Sequence, residues 1–174
     1  MISPPAVDSY WVVRKALLAG EYPGHWDDEE ALERIAFLLD HGVTTFFDLT
    51  MEDEGLHPYA GLLALEAAYR GIEVQYRRFA IPDHTAPSPE LAIEIVESLE
   101  AALDEGKVVY LHCYAGIGRT GTIVGIWLVR NRRISGADAM REIARLRRKV
   151  RYAMYESPEV PEQVDLLCNW PQTE

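Results

Sequence analysis

Residues 112–121 read His112-Cys-Tyr-Ala-Gly-Ile-Gly-Arg-Thr-Gly121, directly after the short apolar segment Lys107–Leu111 and before an apolar, helical stretch over Thr120–Arg130. A strand, a glycine-bearing loop and a helix in this order place the loop at the carboxyl end of a central strand, where open α/β sheets bind ligands. Gly116 and Gly118 let the backbone turn tightly, so that successive N–H groups can converge on one anion. The sequence therefore predicts an anion-binding loop at the centre of the fold.

Strand and helix signals alternate along the rest of the chain. The predicted strands are Val12–Val13, Leu17–Ala19, Val43–Leu49, Ile72–Phe79 and Lys107–Leu111. The predicted helices run from Asp27 or Asp28 to about His41, from about Tyr59 to Arg70, from Pro89 (after a Ser88 cap) to Asp104, from Thr120 to Arg130, from Ser135 to Arg148 and from Val160 to Trp170. This order predicts an α/β fold: a single domain over residues 1–174, with a central, mostly parallel sheet flanked by helices on both faces.

Composition narrows the setting in which such a domain acts. The formal net charge of −11 disfavours general binding to nucleic acid or to anionic membranes. Two cysteines far apart in sequence, Cys113 and Cys168, favour a reducing compartment over a disulfide framework. Met1–Pro5 lacks the pattern of a signal peptide, and no apolar run approaches the ~18 residues of a membrane span. We expect a cytoplasmic monomer with no integral membrane association and no nucleic-acid partner.

Charge is unevenly distributed along the chain. Residues 21–54 hold 11 of the 28 acidic residues. Residues 130–151 hold nine of the 17 basic residues: Arg130, Arg132, Arg133, Arg141, Arg145, Arg147, Arg148, Lys149 and Arg151. We favour a solvated basic helix face balanced by an acidic surface; the alternative is a surface that gathers anionic substrates.

Several other conspicuous residues are assigned to packing. Cys168 could protect Cys113 as a disulfide partner under oxidation, but a buried apolar thiol is the simpler interpretation. Core or packing positions are also expected for Trp11, Trp26, Trp127 and Trp170. No metal site or cofactor is expected, because the scattered histidines lack metal-ligand spacing: His25, His41, His57 and His84.

The two ends of the anion-binding loop carry complementary chemistry. The planar guanidinium of Arg119 can bind two phosphate oxygens at once. At Cys113, N–H dipoles, the following helix N-terminus and a nearby arginine favour the thiolate, which is the nucleophilic form. We therefore expect Cys113 to attack a bound phosphate and form a phosphocysteine. His112 would hold the shape of the loop by hydrogen-bonding its backbone, and Thr120 would donate its hydroxyl to the departing sulfur.

The whole loop is expected to bind the phosphate, through His112, Tyr114, Ala115, Gly116, Ile117, Gly118 and Arg119. The competing interpretation is a buried structural cysteine beside a glycine turn. A lone cysteine and arginine would suit that interpretation. The complete His-Cys-x5-Arg-Thr-Gly pattern between a strand and a helix favours the functional one.

Cleavage of a phosphate ester also requires a proton for the leaving oxygen. Asp83, in the proline-rich loop Ile81–Pro89, is the best candidate for this general acid, although an aspartate in a proline-bounded turn is also common for structural reasons. His84 is a lesser candidate. Gln163, in the last predicted helix, could position the water that hydrolyses the phosphocysteine, while Asp83 acts as the base in that step.

These motifs resemble those of the cysteine-based protein tyrosine phosphatases, particularly the compact dual-specificity branch with its kinase-associated and Cdc14-like members. The resemblance covers about residues 10–170 and includes Leu18–Gly24. It implies that Cys113 and Arg119 belong to the signature loop and that Asp83 belongs to the acid loop. The usual aromatic-Pro-Asp of the tyrosine-specific enzymes here reads Ile-Pro-Asp, as in small dual-specificity members.

The same resemblance bears on the substrate. The chain lacks the separate phosphotyrosine-recognition loop of the larger enzymes, which implies a shallower site open to phosphotyrosine and also to phosphoserine or phosphothreonine. The loop interior, Tyr114–Gly118, lacks the lysine that relatives acting on phosphoinositides often carry. A phosphorylated protein is therefore the expected substrate. The alternatives are a phosphoinositide or inositol phosphate phosphatase and a phosphoprotein-binding module without turnover; an arsenate reductase or rhodanese fits less well.

Overall fold

A computed structural model of the chain describes residues 7–171. The expectation that no signal peptide is present was based on Met1–Pro5, and these residues lie outside the described range. Within the described part of the chain, no helix combines the length and the apolar composition needed to cross a bilayer.

The described residues form five strands and six helices. The strands are β1 (Ser9–Val13), β2 (Leu17–Gly20), β3 (Thr45–Asp48), β4 (Gln75–Arg78) and β5 (Val109–His112). The helices are α1 (Asp28–Asp40), α2 (Ala60–Arg70), α3 (Pro89–Asp104), α4 (Gly118–Arg132), α5 (Gly136–Leu146) and α6 (Pro161–Cys168). Each predicted element is present, with bounds that shift by a few residues. α1 and α3 begin where the sequence predicts, because side chains cap them: Asp27 accepts from Glu29 N and Ser88 from Leu91 N.

The five strands form one sheet in the order β1-β2-β5-β3-β4. β1 is antiparallel to β2, and the other three pairs are parallel, which confirms the mostly parallel sheet. In the register, His112 at the end of the central strand β5 lies between Gly20 of β2 and Asp48 of β3. The carboxyl ends of β2, β3, β4 and β5 therefore meet at one edge of the sheet, and so do the loops that follow them.

Helices cover both faces of this sheet, as predicted. Alternate residues of β5 point to opposite sides: Val109 and Leu111 belong to one hydrophobic core, and Tyr110 belongs to the other. α1 and α2 cover the Tyr110 side, while α3 to α6 cover the opposite side. α4 is buried continuously from Gly118 to Val129, because α3, α5 and α6 all surround it. The loop that the sequence predicts to bind an anion is thus continuous with the most deeply buried helix.

Two packing predictions are wrong. Trp26 is exposed, because it lies in the β2–α1 connection rather than on a core-facing element. Cys168 is also exposed, so it is not a buried apolar thiol. Leu167 takes the inward position of α6, where its side chain meets α4 at Gly125, and the next residue of the helix is turned outward.

The basic stretch is a paired helix surface with one buried anchor. Four of its arginines form ion pairs with carboxylates: Arg130 with Glu100, Arg132 and Arg145 with Glu142, and Arg141 with Asp138. The hydrogen bond from Arg145, with further help from Arg132, lowers the pKa of Glu142 to about 2. Arg147 departs from the predicted solvated face, because it is buried and donates to the backbone of the α5–α6 connection.

Candidate active site

The four loops at the carboxyl edge of the sheet meet around Cys113, which follows β5 directly and is buried. We call Cys113–Arg119 the phosphate loop. Gly116 has φ +69°, and a Cβ there would lie 2.5 Å from the backbone carbon of Gly20 at the end of β2. Only glycine allows the loop to turn this way while it lies against the neighbouring strand. The predicted glycine requirement therefore has a concrete cause.

Arg119 joins the phosphate loop to two other loops. Its buried guanidinium bonds both carboxylate oxygens of Glu54, at 3.1 Å for Nη2 to Oε2, and Nη2 lies 2.9 Å from Asp83 Oδ1. Nη1 also donates to Ile81 O at 2.9 Å. Burial opposes the charge, but Glu54, Cys113 and Asp83 outweigh it and raise the pKa of Arg119. The guanidinium is therefore held by carboxylates on two sides, within the first turn of α4.

Two polar atoms of the phosphate-loop region remain without a protein partner among the described residues. Arg119 Nε and the hydroxyl of Thr120 are both buried and make no hydrogen bond there. Buried donors are costly unless an acceptor meets them. Both atoms can therefore serve an acceptor that enters the site, such as an oxyanion or the cysteine sulfur.

Asp83 occupies a tight turn above Arg119. Its side chain is 48% exposed, and its Oδ1 also accepts from His84 N at 3.0 Å. Thr85 closes the turn by donating its hydroxyl to Pro82 O at 2.8 Å. The structural and the functional interpretation of this aspartate are thus compatible, because the turn itself directs the carboxylate toward Arg119.

Gln163 lies beside the phosphate loop, as the sequence analysis placed it, but its amide is already engaged. A Cβ on Gly118 would lie 2.9 Å from Gln163 Oε1, and this oxygen accepts from Glu159 N at 3.1 Å. Its Nε2 donates to Thr85 O at 2.9 Å. Gln163 therefore connects α6 to the acid loop. Its role in positioning water stays a prediction.

Behind the phosphate loop, His112 belongs to a buried polar network. Its Nδ1 lies 3.3 Å from Cys113 O, which is the backbone contact that the sequence analysis expected, and its Nε2 lies 2.7 Å from Tyr59 Oη. Burial lowers the pKa of His112, so the ring is neutral near pH 7. Asp48 Oδ1 is 4.0 Å from His112 Nδ1, and Tyr76 donates to Asp48 Oδ2 at 2.7 Å.

The charge of Asp48 is stabilised within that network. Burial alone would raise the pKa of Asp48, but the charge of His112 when that ring is protonated, together with hydrogen bonds from Thr50 and Tyr76, outweighs it and lowers the pKa. The network holds the end of β3 and the start of the phosphate loop in one arrangement. Neither Asp48 nor Tyr59 was identified from the sequence. The signal that could have found Asp48 is a carboxylate within an otherwise apolar, buried strand.

Of the site residues that were not recognised from the sequence, Glu54 has the largest effect on the geometry of the site, because it holds Arg119. It follows β3 in the run Glu52-Asp-Glu54, which reads as part of the acidic stretch over residues 21–54. In the fold, its Oε1 accepts from Met51 N at 2.7 Å and so closes a short turn that directs the carboxylate at Arg119. No sequence spacing relates residue 54 to residue 119.

We expect Glu54→Gln to lower kcat/KM for p-nitrophenyl phosphate by about 10- to 100-fold, because an arginine that shifts by a fraction of an ångström binds a phosphoryl group in a poorer geometry. Glu52→Gln is the matched control, since it removes the same charge from an exposed position in the same loop. Steady-state kinetics of both variants test this expectation. Equal activities at equal melting temperatures would contradict the positioning role of Glu54.

A cleft of about 670 Å³ opens over the phosphate loop. Its lining includes Tyr114, Ala115 and Ile117 of that loop, together with residues from 21–26, 55–57 and 151–155. The cleft therefore lies directly beside the phosphate loop.

Comparisons with known proteins agree with this geometry. Residues 23–133 match the family described as "Polymorphic toxin system, DSP-PTPase phosphatase". Protein tyrosine phosphatase domain-containing protein 1 of Bos taurus is 28% identical over 120 residues, 64% of this chain but only 15% of the relative. The Arabidopsis thaliana protein named "Phosphatidylglycerophosphate phosphatase PTPMT1" is 31% identical over 94 residues, 53% of this chain and 28% of the relative.

Among solved structures, that of Tk-PTP in its active form superimposes with a TM-score of 0.69 at 28% identity, covering 92% of this chain and 93% of the other. The fold and the resemblance inferred from the signature loop are confirmed. The match extends over more than half of the chain and includes the whole of the phosphate loop. The chain therefore belongs to the polymorphic-toxin DSP-PTPase phosphatase family, within the cysteine-based protein tyrosine and dual-specificity phosphatase superfamily.

Proposed function

We propose that this chain is a protein phosphatase that hydrolyses phosphotyrosine through a phosphocysteine intermediate on Cys113, with phosphoserine and phosphothreonine as further candidate substrates. The observation that carries the proposal is the position of Arg119. Its guanidinium is held by Glu54 and lies 2.9 Å from Asp83 Oδ1, beside the loop that Cys113 opens. The proposed phosphoryl binder and the proposed acid thus lie next to each other, beside the loop that begins with Cys113, and this supports the proposal.

In the first step, the backbone N–H groups of the phosphate loop and the guanidinium of Arg119 bind the phosphoryl oxygens. The thiolate of Cys113 attacks phosphorus, and the bond from phosphorus to the ester oxygen breaks. Asp83 gives its proton to that oxygen, which leaves as an alcohol or a phenol. The buried Nε of Arg119, which bonds nothing among the described residues, supports its use as a further phosphate donor.

In the second step, water attacks the phosphocysteine while Asp83 accepts a proton from it. The bond from sulfur to phosphorus breaks, and inorganic phosphate and the thiolate are released. The hydroxyl of Thr120 is buried and free of partners within residues 7–171, which supports its proposed donation to the departing sulfur. Gln163 would orient the water from its place beside Gly118. The Gln163 amide could bind the water while Nε2 still donates to Thr85 O, or after water replaces Thr85 O as the acceptor.

A lipid phosphate is the second candidate substrate. The Arabidopsis relative carries the name of a phosphatidylglycerophosphate phosphatase. Its match covers 53% of this chain, a share comparable to the 64% covered by the bovine relative. Against it stands the interior of the phosphate loop, Tyr114–Gly118, which offers no lysine or arginine to a second phosphate. We therefore place phosphoproteins first.

A substrate panel separates these candidates. We expect kcat/KM for phosphotyrosine peptides to exceed that for phosphatidylglycerophosphate or phosphoinositide vesicles and for inositol polyphosphates by at least about 10-fold, since each unmatched phosphate costs desolvation without a partner. Activity should survive EDTA, and Cys113→Ser provides the blank. Faster turnover of a lipid would favour the second candidate. Phosphopeptide binding without phosphate release would favour a non-catalytic module.

Whether the basic stretch over residues 130–151 recruits anionic substrates is tested with a separate variant. Arg148→Ala is suitable, because Arg148 is exposed and its Nε donates only to a neighbouring carbonyl of its own chain segment. Arg147 is unsuitable, because its removal would leave the carbonyls of Tyr152 and Tyr155 without their donors. A loss of lipid turnover in Arg148→Ala at fixed ionic strength would favour recruitment of anionic surfaces.

A further inference from the structure

Four exposed aromatic side chains line the cleft over the phosphate loop. They are Trp26, Tyr114, Tyr152 and Tyr155, exposed by 72%, 58%, 37% and 54%. We call them the aromatic rim. The other large exposed apolar side chains among the described residues do not line this cleft: Leu65, Tyr69, Ile93 and Met154. A cluster of aromatic side chains beside a phosphate-binding loop is typical of a recognition surface. The mechanism described above uses none of these rings.

One side of the rim is held in place by a buried charge. Arg147 is 2% exposed and donates to Tyr155 O at 2.9 Å and to Tyr152 O at 3.2 Å. The rings of Tyr152 and Tyr155 meet edge to face, with centroids 6.0 Å apart. Burial of a guanidinium is costly unless its donors are satisfied. Here Nη1 and Nη2 fix the backbone of a surface connection, while Nε has no partner among the described residues, so the two tyrosines are presented in a defined position.

The same segment is tied to the N-terminal part of the chain. Arg151 N donates to Asp8 Oδ2 at 2.9 Å. Trp26 lies on another connection, where it is fixed by its neighbours: Asp27 caps α1, and the rings of His25 and Trp26 lie 5.3 Å apart. Rigid aromatic side chains bind with little loss of conformational entropy, because they have few rotatable bonds. The rim is therefore largely formed before a ligand arrives.

The charges of the cleft select among possible occupants. Each of its two arginines lies near a carboxylate: Arg34 pairs with Glu30 at 2.7 Å, and the charge of Glu21 raises the pKa of Arg151. Glu21 and Glu159 also line the cleft. A headgroup with several phosphates would therefore meet carboxylates beside each of these cations. A polypeptide with one phosphate and apolar neighbours would meet aromatic rings.

We propose that the aromatic rim is the docking surface for the polypeptide that carries the phosphate, and that it selects segments with apolar or aromatic side chains next to the phosphotyrosine. The proposal rests on the proposed protein phosphatase function and adds the chemistry of the substrate around the phosphorylated residue. The occupant we infer is the phosphate-bearing chain, because Tyr114, Ala115 and Ile117 of the phosphate loop line the same cleft as the rim, and Tyr114 follows Cys113 directly. Apolar side chains of the substrate, packed between the aromatic rings of the rim, supply the specificity that the phosphate loop itself lacks.

The test compares phosphotyrosine peptides with leucine and phenylalanine flanks against peptides with glutamate or lysine flanks. The variants are Trp26→Ser and Tyr155→Ser. The matched control is Tyr69→Ser on α2, since Tyr69 is an aromatic residue with 88% exposure that does not line the cleft. We expect each rim variant to lower kcat/KM for the apolar-flanked peptide about 5- to 20-fold more than for p-nitrophenyl phosphate, which lacks flanks. Tyr69→Ser should leave kcat/KM unchanged for both substrates.

Three results would overturn the proposal. The first is an equal loss for the peptide and for p-nitrophenyl phosphate, and the second is a wild-type enzyme indifferent to the flanks. The third is a loss confined to lipid vesicles, which would assign the rim to membranes. The dissociation constant of each peptide, measured in a Cys113→Ser background, tests the rim even if turnover is absent. An inactive wild-type enzyme would contradict the proposed function, whereas flank-independent binding would contradict the rim.

Discussion

Replacement of Cys113 by serine should abolish turnover while phosphopeptides still bind. The phosphate loop, Arg119 and the end of β5 remain unchanged, because serine differs from cysteine by one atom. A serine hydroxyl at this position is a weak nucleophile without an adjacent base, and the neutral His112 behind the loop is already engaged with Tyr59. We expect kcat for p-nitrophenyl phosphate to fall by at least about 10⁴-fold, as for other essential nucleophiles. Release of inorganic phosphate at saturating substrate measures it.

The second cysteine gives the matched control. Cys168 is exposed at the end of α6, and α6 places Leu167, not Cys168, against α4. Cys168→Ser therefore removes a thiol from the chain without any change near the phosphate loop, and full activity is expected. Turnover that persists in Cys113→Ser would contradict the nucleophile. Loss of activity in Cys168→Ser, with Cys113 intact, would show that the thiol chemistry has been assigned to the wrong residue.

The fold could be predicted from sequence because its signals are local. The Ser88–Pro89 start of α3 and the Gly71 stop after α2 depend on backbone preferences within a few residues. The least accurate strand, predicted over Ile72–Phe79 and observed as Gln75–Arg78, lies at the edge of the sheet. Its alternating pattern extends beyond the residues that pair with β3, since pairing ends where the neighbour ends. Edge strands are therefore predicted in type but not in length.

The site could be predicted only where its chemistry lies within one loop. Cys113 and Arg119 belong to a contiguous motif, and Asp83 belongs to a proline-bounded segment that draws attention by itself. Glu54 and Asp48 act through contacts that form when β3 and β5 become neighbours. Neither the residue types nor their spacing in the sequence indicates these contacts. The exposure of individual residues such as Trp26 likewise follows from the path of a connection and not from hydrophobicity.

Replacement of Asp83 by asparagine should slow esters with poor leaving groups far more than esters with good ones. Asparagine keeps an oxygen that can accept from Arg119 but cannot deliver a proton. Loss of a general acid costs about 10²- to 10⁴-fold when the leaving oxygen needs protonation, as it does for phenyl or alkyl phosphates. The loss should be much smaller for p-nitrophenyl phosphate, whose leaving group departs as an anion. A plot of log kcat against the pKa of the leaving group should therefore become steeper in Asp83→Asn.

The neighbouring histidine provides the decisive comparison for this acid. His84 Nε2 lies 3.6 Å from Asp83 Oδ2, and Nδ1 lies 3.7 Å from Glu159 Oε2, so its ring is close enough to compete for the role. His84 has φ +56°, a conformation that asparagine tolerates better than most residues, so His84→Asn should keep the turn. We expect this variant to keep the shallow dependence on the leaving group, because Asp83 and not His84 contacts Arg119. Equal slowing of all esters in Asp83→Asn would contradict the acid role, and a steeper plot in His84→Asn alone would transfer that role to His84.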